Sequence, residues 1–267
     1  MQRLQLALLP TLLLLGCGGG SEEPALKKPT ASTEAPAAGA AAAAAPAADT
    51  SMVWDGSQGV SEVKGTILFT GTAPERKIID MGADAACHGE GAADPSVIVN
   101  DGKLQNVFVY VSKVPAGMTY PKGTGEVMLT QKGCMYEPHV LGLQKGQSLS
   151  ITNGDEVTHN VHSYSKRNKA FNKSQPAGSP ALEEGYQRSE DQFAIKCDIH
   201  KWMSSYVCVT DYPFFAVSAA DGSFNLGKLP AGQYTISADH EVYDGQTATV
   251  TVKAGAASMV DFTFKAN

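Results

Sequence analysis

From about residue 60 onward, apolar and polar positions alternate in short runs: 64–69, 104–111, 126–130, 147–152, 192–197, 205–210, 222–226, 233–237 and 247–252, with Gly, Pro, Asn and Asp between them. Successive side chains on a strand point to opposite faces, so period-two runs bounded by such residues predict half-buried strands joined by turns. No segment holds a helical period over any length. The pattern predicts an all-β protein of sandwich type. Within it, Val140 and Leu143 frame a short strand, Leu149 and Ile151 alternate along another, and Asn153-Gly154-Asp155 makes a turn before His159 opens the next. In F-A-I-K-C, Phe193, Ile195 and Cys197 share a face and Cys197 closes the strand. The stretch 163–190 is polar, carries no strong pattern and reads as an insert.

The first 55 residues differ in kind. Residues 1–17 hold one basic residue and an apolar run too short to span a bilayer as a mature helix. Residues 18–52 contain no aromatic residue and almost nothing to bury, so ordering entropy has no offset. A disordered Ala/Pro-rich tether over 18–55 is expected, with a coil reach of roughly 30–35 Å. Leu14-Leu15-Gly16-Cys17 resembles the lipobox of a bacterial lipoprotein signal. That resemblance implies an acylated Cys17 as mature N-terminus. With Gly18 following, it implies a place on the periplasmic side of the outer membrane. An ordinary secretory signal is the other reading, and both export the chain.

Charge narrows the partners. Acidic residues outnumber basic ones, 27 to 21, with no basic block, which argues against nucleic acid. With Cys17 assigned to lipid, four cysteines remain. Cys208 lies in an apolar strand and reads as a buried, inert thiol. Cys87 and Cys134 are the natural pair for a bridge in an exported protein, although four cysteines allow three pairings. No C-x-x-C-H occurs, so a c-type haem motif is absent. His88 and His240 read as surface residues in a Gly-rich loop and a polar turn, and His139 as partly buried.

What remains is chemical. Cys197, His200 and Met203 stand at C-x-x-H-x-x-M spacing, downstream of His159 in N-x-D-x-x-x-H-N. Two imidazoles, a thiolate and a thioether form the donor set of a blue-copper electron-transfer site. The stretch from about 126 to 210 resembles a cupredoxin, with the ligand-loop length of amicyanin-type members. The matching parts are Pro138, Gly146, Asn153, Asp155, His159-Asn160, Cys197, His200 and Met203. The resemblance implies a Greek-key sandwich over 125–212 holding one type 1 copper on His159, Cys197, His200 and Met203. It implies that Asn160 fixes the ligand loop by hydrogen bonds. Lys201 stands where many members have Pro. His162 is the rival to His159. Three residues apart on a strand, the two point to opposite faces, and His162 is expected to face solvent.

Beyond residue 213, G-S-F-N-L…L-P-A-G-Q-Y resembles the carboxypeptidase regulatory-like, transthyretin-type β-sandwich. Residues 60–124 look like first strands of that module, or else like extra strands of the copper module. The implied function is a lipid-anchored carrier of single electrons between redox proteins, not an enzyme. No nucleophile–base pair occurs, nor the H-x-H pairs of a copper oxidase. The alternatives are a zinc-stabilised binding lipoprotein using Cys134, His139, Cys197 and His200, a metal-free sandwich, and copper storage or delivery.

Overall fold

The computed structural model describes residues 52–82, 84–87 and 91–266. The expected signal segment, Cys17, most of the tether and His88 lie outside these residues. The fold is all-β. Among the described residues the one helical element is a 3₁₀ turn, Ala85–Cys87.

Two sandwiches are present, and one interrupts the other. In the host, one sheet runs in the order Phe215–Val217, Phe108–Lys113, Gly232–Asp239, Gln246–Val252. The opposing sheet is built around Ser61–Thr70, which pairs with Ser223–Leu229, with Lys103–Leu104 and, in parallel, with Ser258–Met259 and Phe262–Lys265. Strands from 61–113 thus share sheets with strands from 215–265, and everything between is an insertion. Which segments pair is a long-range property that no local pattern carries.

The host core follows from strict alternation. In Ser61–Thr70 every odd-numbered position turns inward, among them Val63, Ile67 and Phe69. Each large apolar side chain so buried contributes about 1.5–3 kcal/mol. Gly65 shares that inward face because a Cβ there would lie 1.7 Å from the Val260 carbonyl oxygen. Packed against these are Val109, Val111, Tyr234, Ile236 and Val250 of the other sheet. Met52–Val53, expected within the tether, pairs in parallel with Met118–Thr119.

The inserted sandwich has one sheet of Leu182–Gly185, Ser148–Asn153, Glu126–Lys132 and Met135–Glu137. Its second sheet orders Phe171–Gln175, His159–Ser163, Glu190–Lys196, Ser204–Thr210 and Val140–Gln144. Leu129, Leu149, Ile151, Val161, Ile195 and Val207 fill the space between. The polar stretch 163–190 proves to supply the edge strand of both sheets, Phe171–Gln175 and Leu182–Gly185. An edge strand has little apolar face to display, and so leaves no alternation to read. Phe108, Val140 and Cys208 join the two sandwiches. Gly142 lies in that joint, where a Cβ would come within 2.3 Å of the Phe108 ring. Cys208 is buried there, and burial pushes its thiol pKa well up.

Candidate metal centre

Two hairpins and one strand start meet at one end of the inserted sandwich. The first hairpin joins Glu190–Lys196 to Ser204–Thr210. The strand stops at Lys196, one residue before the sequence pattern suggested, and Cys197 begins the loop. The loop closes on itself: Cys197 N–H donates to the Met203 carbonyl (3.2 Å), and Met203 N–H donates to that of His200 (2.9 Å). The second hairpin turns on Gly133-Cys134, both at positive φ, as a two-residue turn matched to strand twist requires. Trp202 Nε1–H donates to the Cys134 carbonyl at 2.9 Å and ties the hairpins together.

His159, Cys197 and His200 are almost wholly buried, and one ligand atom of each lies within 4.8 Å of the others. The two Nδ1 atoms are 2.9 Å apart and the Cys197 Sγ is 3.8 Å from His200 Nδ1. Each outer nitrogen already has a carboxylate: His159 Nε2 faces Asp155 Oδ2 at 2.8 Å, and His200 Nε2 faces Asp84 Oδ2 at 3.1 Å. A carboxylate accepts only, which assigns Nε2–H to both rings. Two bare Nδ1 lone pairs and a sulfur then converge in a dry pocket, and only a cation, proton or metal, satisfies them. Buried donors of types N, N and S with carboxylates behind both imidazoles fit a transition metal ion.

The electrostatics agree. Burial pushes the Cys197 thiol up, but the adjacent His159 ring and the backbone N–H groups of His200, Asn160 and Ile199 outweigh it and bring it down to about 6. For His159 burial acts downward, yet Cys197 and Asp155 together raise its pKa. Met203 is fully buried in the same core cluster as Cys197. Asn160 N–H donates to the Cys197 sulfur at 3.4 Å, its Oδ1 accepts from Asp198 N–H, and its Nδ2 donates to Asn172.

His162 is part-exposed, and its Nδ1 lies 3.0 Å from the Asp198 carboxylate, outside this group. The zinc set is not assembled. His139 bonds Glu241 and the Ser204 carbonyl, and Cys134 is bonded to Cys87. His240, expected at the surface, is buried against Tyr243 and Phe264. Its polar neighbours Asp239 and Glu241 hid that. Asp84 was missed altogether. It lies far from the ligands in sequence, and nothing local marks it.

The family model for the carboxypeptidase regulatory-like domain matches residues 207–265. No curated protein matches. Among solved structures, a copper-containing nitrite reductase from Thermus scotoductus SA-01 matches with 15% identity and a TM-score of 0.29, over 38% of this chain and 33% of that one. The chain therefore spans about a third of that reductase. A purple cupredoxin from Nitrosopumilus maritimus matches with 23% identity and TM-score 0.27, over 31% of this chain and 98% of that one. Amicyanin from Paracoccus versutus matches with 18% identity and TM-score 0.28, over 38% and 97%. The chain is thus similar to the carboxypeptidase regulatory-like domain over residues 207–265.

Proposed function

We propose that this chain holds one copper ion on His159 Nδ1, Cys197 Sγ and His200 Nδ1, with Met203 as a weak axial donor, and carries single electrons between redox proteins. One observation supports it above the others: three buried donors of the right types converge while both outer imidazole nitrogens are committed to carboxylates. Bound copper would supply a Cu(II)/Cu(I) couple, with the soft thiolate suited to Cu(I) and the imidazoles serving both states. The chain's own residues do the rest. Backbone N–H groups of Asn160 and His200 hold the sulfur, Asn160 pins the loop at Asp198, and the packed core keeps water from the donors. Such a centre moves little between oxidation states. The chain is not an enzyme in this reading, and Cys17 anchors it by lipid in the envelope, facing the periplasm.

An absorption spectrum of the oxidised, copper-loaded protein tests the reading. An intense visible thiolate-to-copper band is expected in the wild type and in His162→Ala, and loss of that band with the β-sheet signal retained in Cys197→Ser. A colourless wild type, or a band that survives Cys197→Ser, would falsify it.

A further inference from the structure

The segment between Thr70 and Val99 leaves the host sandwich, crosses to the metal end of the inserted one, and returns. It lends Met81 and Cys87 to the inserted core. Its 3₁₀ turn is set by Asp84, whose carbonyl accepts from Cys87 N–H (3.0 Å) and whose Oδ1 accepts from Ala86 N–H (3.0 Å). The other carboxylate oxygen meets His200 Nε2. Cys87 is bonded to Cys134. The Gly133 and Cys134 N–H groups donate to Asp155 at 2.6 and 2.9 Å, and Asp155 holds His159. The carboxylates behind the two imidazoles are thus joined through a single disulfide.

We propose that Asp84 is a positioning residue for the metal centre: the host sandwich delivers it, the Cys87–Cys134 bond pins it, and it holds His200 as the Nε2–H tautomer with Nδ1 turned toward Cys197 and His159. Its redox consequence rests on the copper reading above; its tautomer consequence does not. Among the described residues, the other hydrogen-bonding neighbour of His200 Nε2 is the Cys87 sulfur at 3.6 Å, a weak acceptor. Without Asp84 the ring would lose its preference for Nε2–H, and Nδ1–H would point into the donor pocket. The carboxylate charge acts separately from the orientation. Hydrogen-bonded to a ligand imidazole, it strengthens the ring as a donor and favours the more positive, oxidised metal.

Substitution at this turn separates the two effects, and Asp84 is part-exposed, so the variants keep the core. The first readout is ¹⁵N NMR of the imidazoles in the full, metal-free chain. Nε2–H at His200 is expected in the wild type, in Asp84→Asn, whose amide oxygen still accepts, and in Asp84→Glu. It is expected to be lost in Asp84→Ala and in the C87S/C134S double variant. The second is the reduction potential with copper bound. Asp84→Asn should shift the balance toward Cu(I) by about tenfold, or ~59 mV upward for one electron, and Asp84→Glu should return it. A His200 that stays Nε2–H in Asp84→Ala overturns the proposal. A wild type that takes no copper sinks the electron-transfer reading alone, since the metal-free tautomer still decides this one.

Discussion

The two sandwiches share a layer plan and treat buried polar groups in opposite ways. The host core is mostly aliphatic and aromatic, built from residues such as Val63, Ile67, Val111, Ile236 and Phe264. The inserted core keeps two imidazoles, a thiol, a thioether and the Gln131–Gln175 amide pair. Layer packing alone therefore does not decide chemistry. At its metal end the inserted sandwich partners its buried imidazoles and thiol with groups from its hairpin turns and from the host.

Truncating the apolar side is the largest perturbation. Ile236→Ala should cost about 2–5 kcal/mol, read as a lower midpoint in thermal or urea unfolding. The visible band of the copper-loaded protein at 25 °C should be unchanged. If the band fell with the host, the two cores would be one in energetic terms.

Among the described residues the host buries Ser61, Ser218, Ser237 and His240, and the last predicts a pH effect. Burial brings the His240 pKa down to about 4, with Glu241 opposing and His139 adding to the shift. Unfolded, the ring titrates near 6.5, so as pH falls the unfolded chain binds the proton first. The stability present above about pH 6.5 should erode as pH falls toward 4, by up to about 3 kcal/mol. His240→Gln should flatten that part of a Tm-against-pH curve. A slope unchanged in the variant would place the titration elsewhere.

The mildest change touches the centre itself. Met203→Leu swaps one buried apolar side chain for another of similar volume and should cost under about 1.5 kcal/mol. Colour should persist while the potential rises, because a donor that favours Cu(II) has gone. A fall in potential would remove Met203 from the axial role.

The readable part of this molecule was the part written locally. Alternation marked Ser61–Thr70, Ser148–Asn153 and Gly232–Asp239 to within a few residues, because each has one wet and one dry face. The spacing of Cys197, His200 and Met203 fits within one loop and so survives as a motif. Asp84 had no such marker: its role exists only once the excursion has crossed to another sandwich. The edge strands Phe171–Gln175 and Leu182–Gly185 were invisible for the reverse reason, having too little apolar face to print a period. His240 was misread because burial of its ring is decided by Tyr243 and Phe264, not by the flanking carboxylates.

The interrupted host also sets the length of the loops it must close. Strand Phe108–Lys113 pairs with Phe215–Val217 across the whole insertion, and Ser61–Thr70 pairs with residues near the C-terminal end. Closing loops of that length precedes any contact that rewards it, and the cost grows with the logarithm of the open chain. An insertion that has already folded replaces a long flexible loop by a rigid body whose two ends emerge on neighbouring strands. Folding of the inserted sandwich therefore shortens the loop that the host has to close.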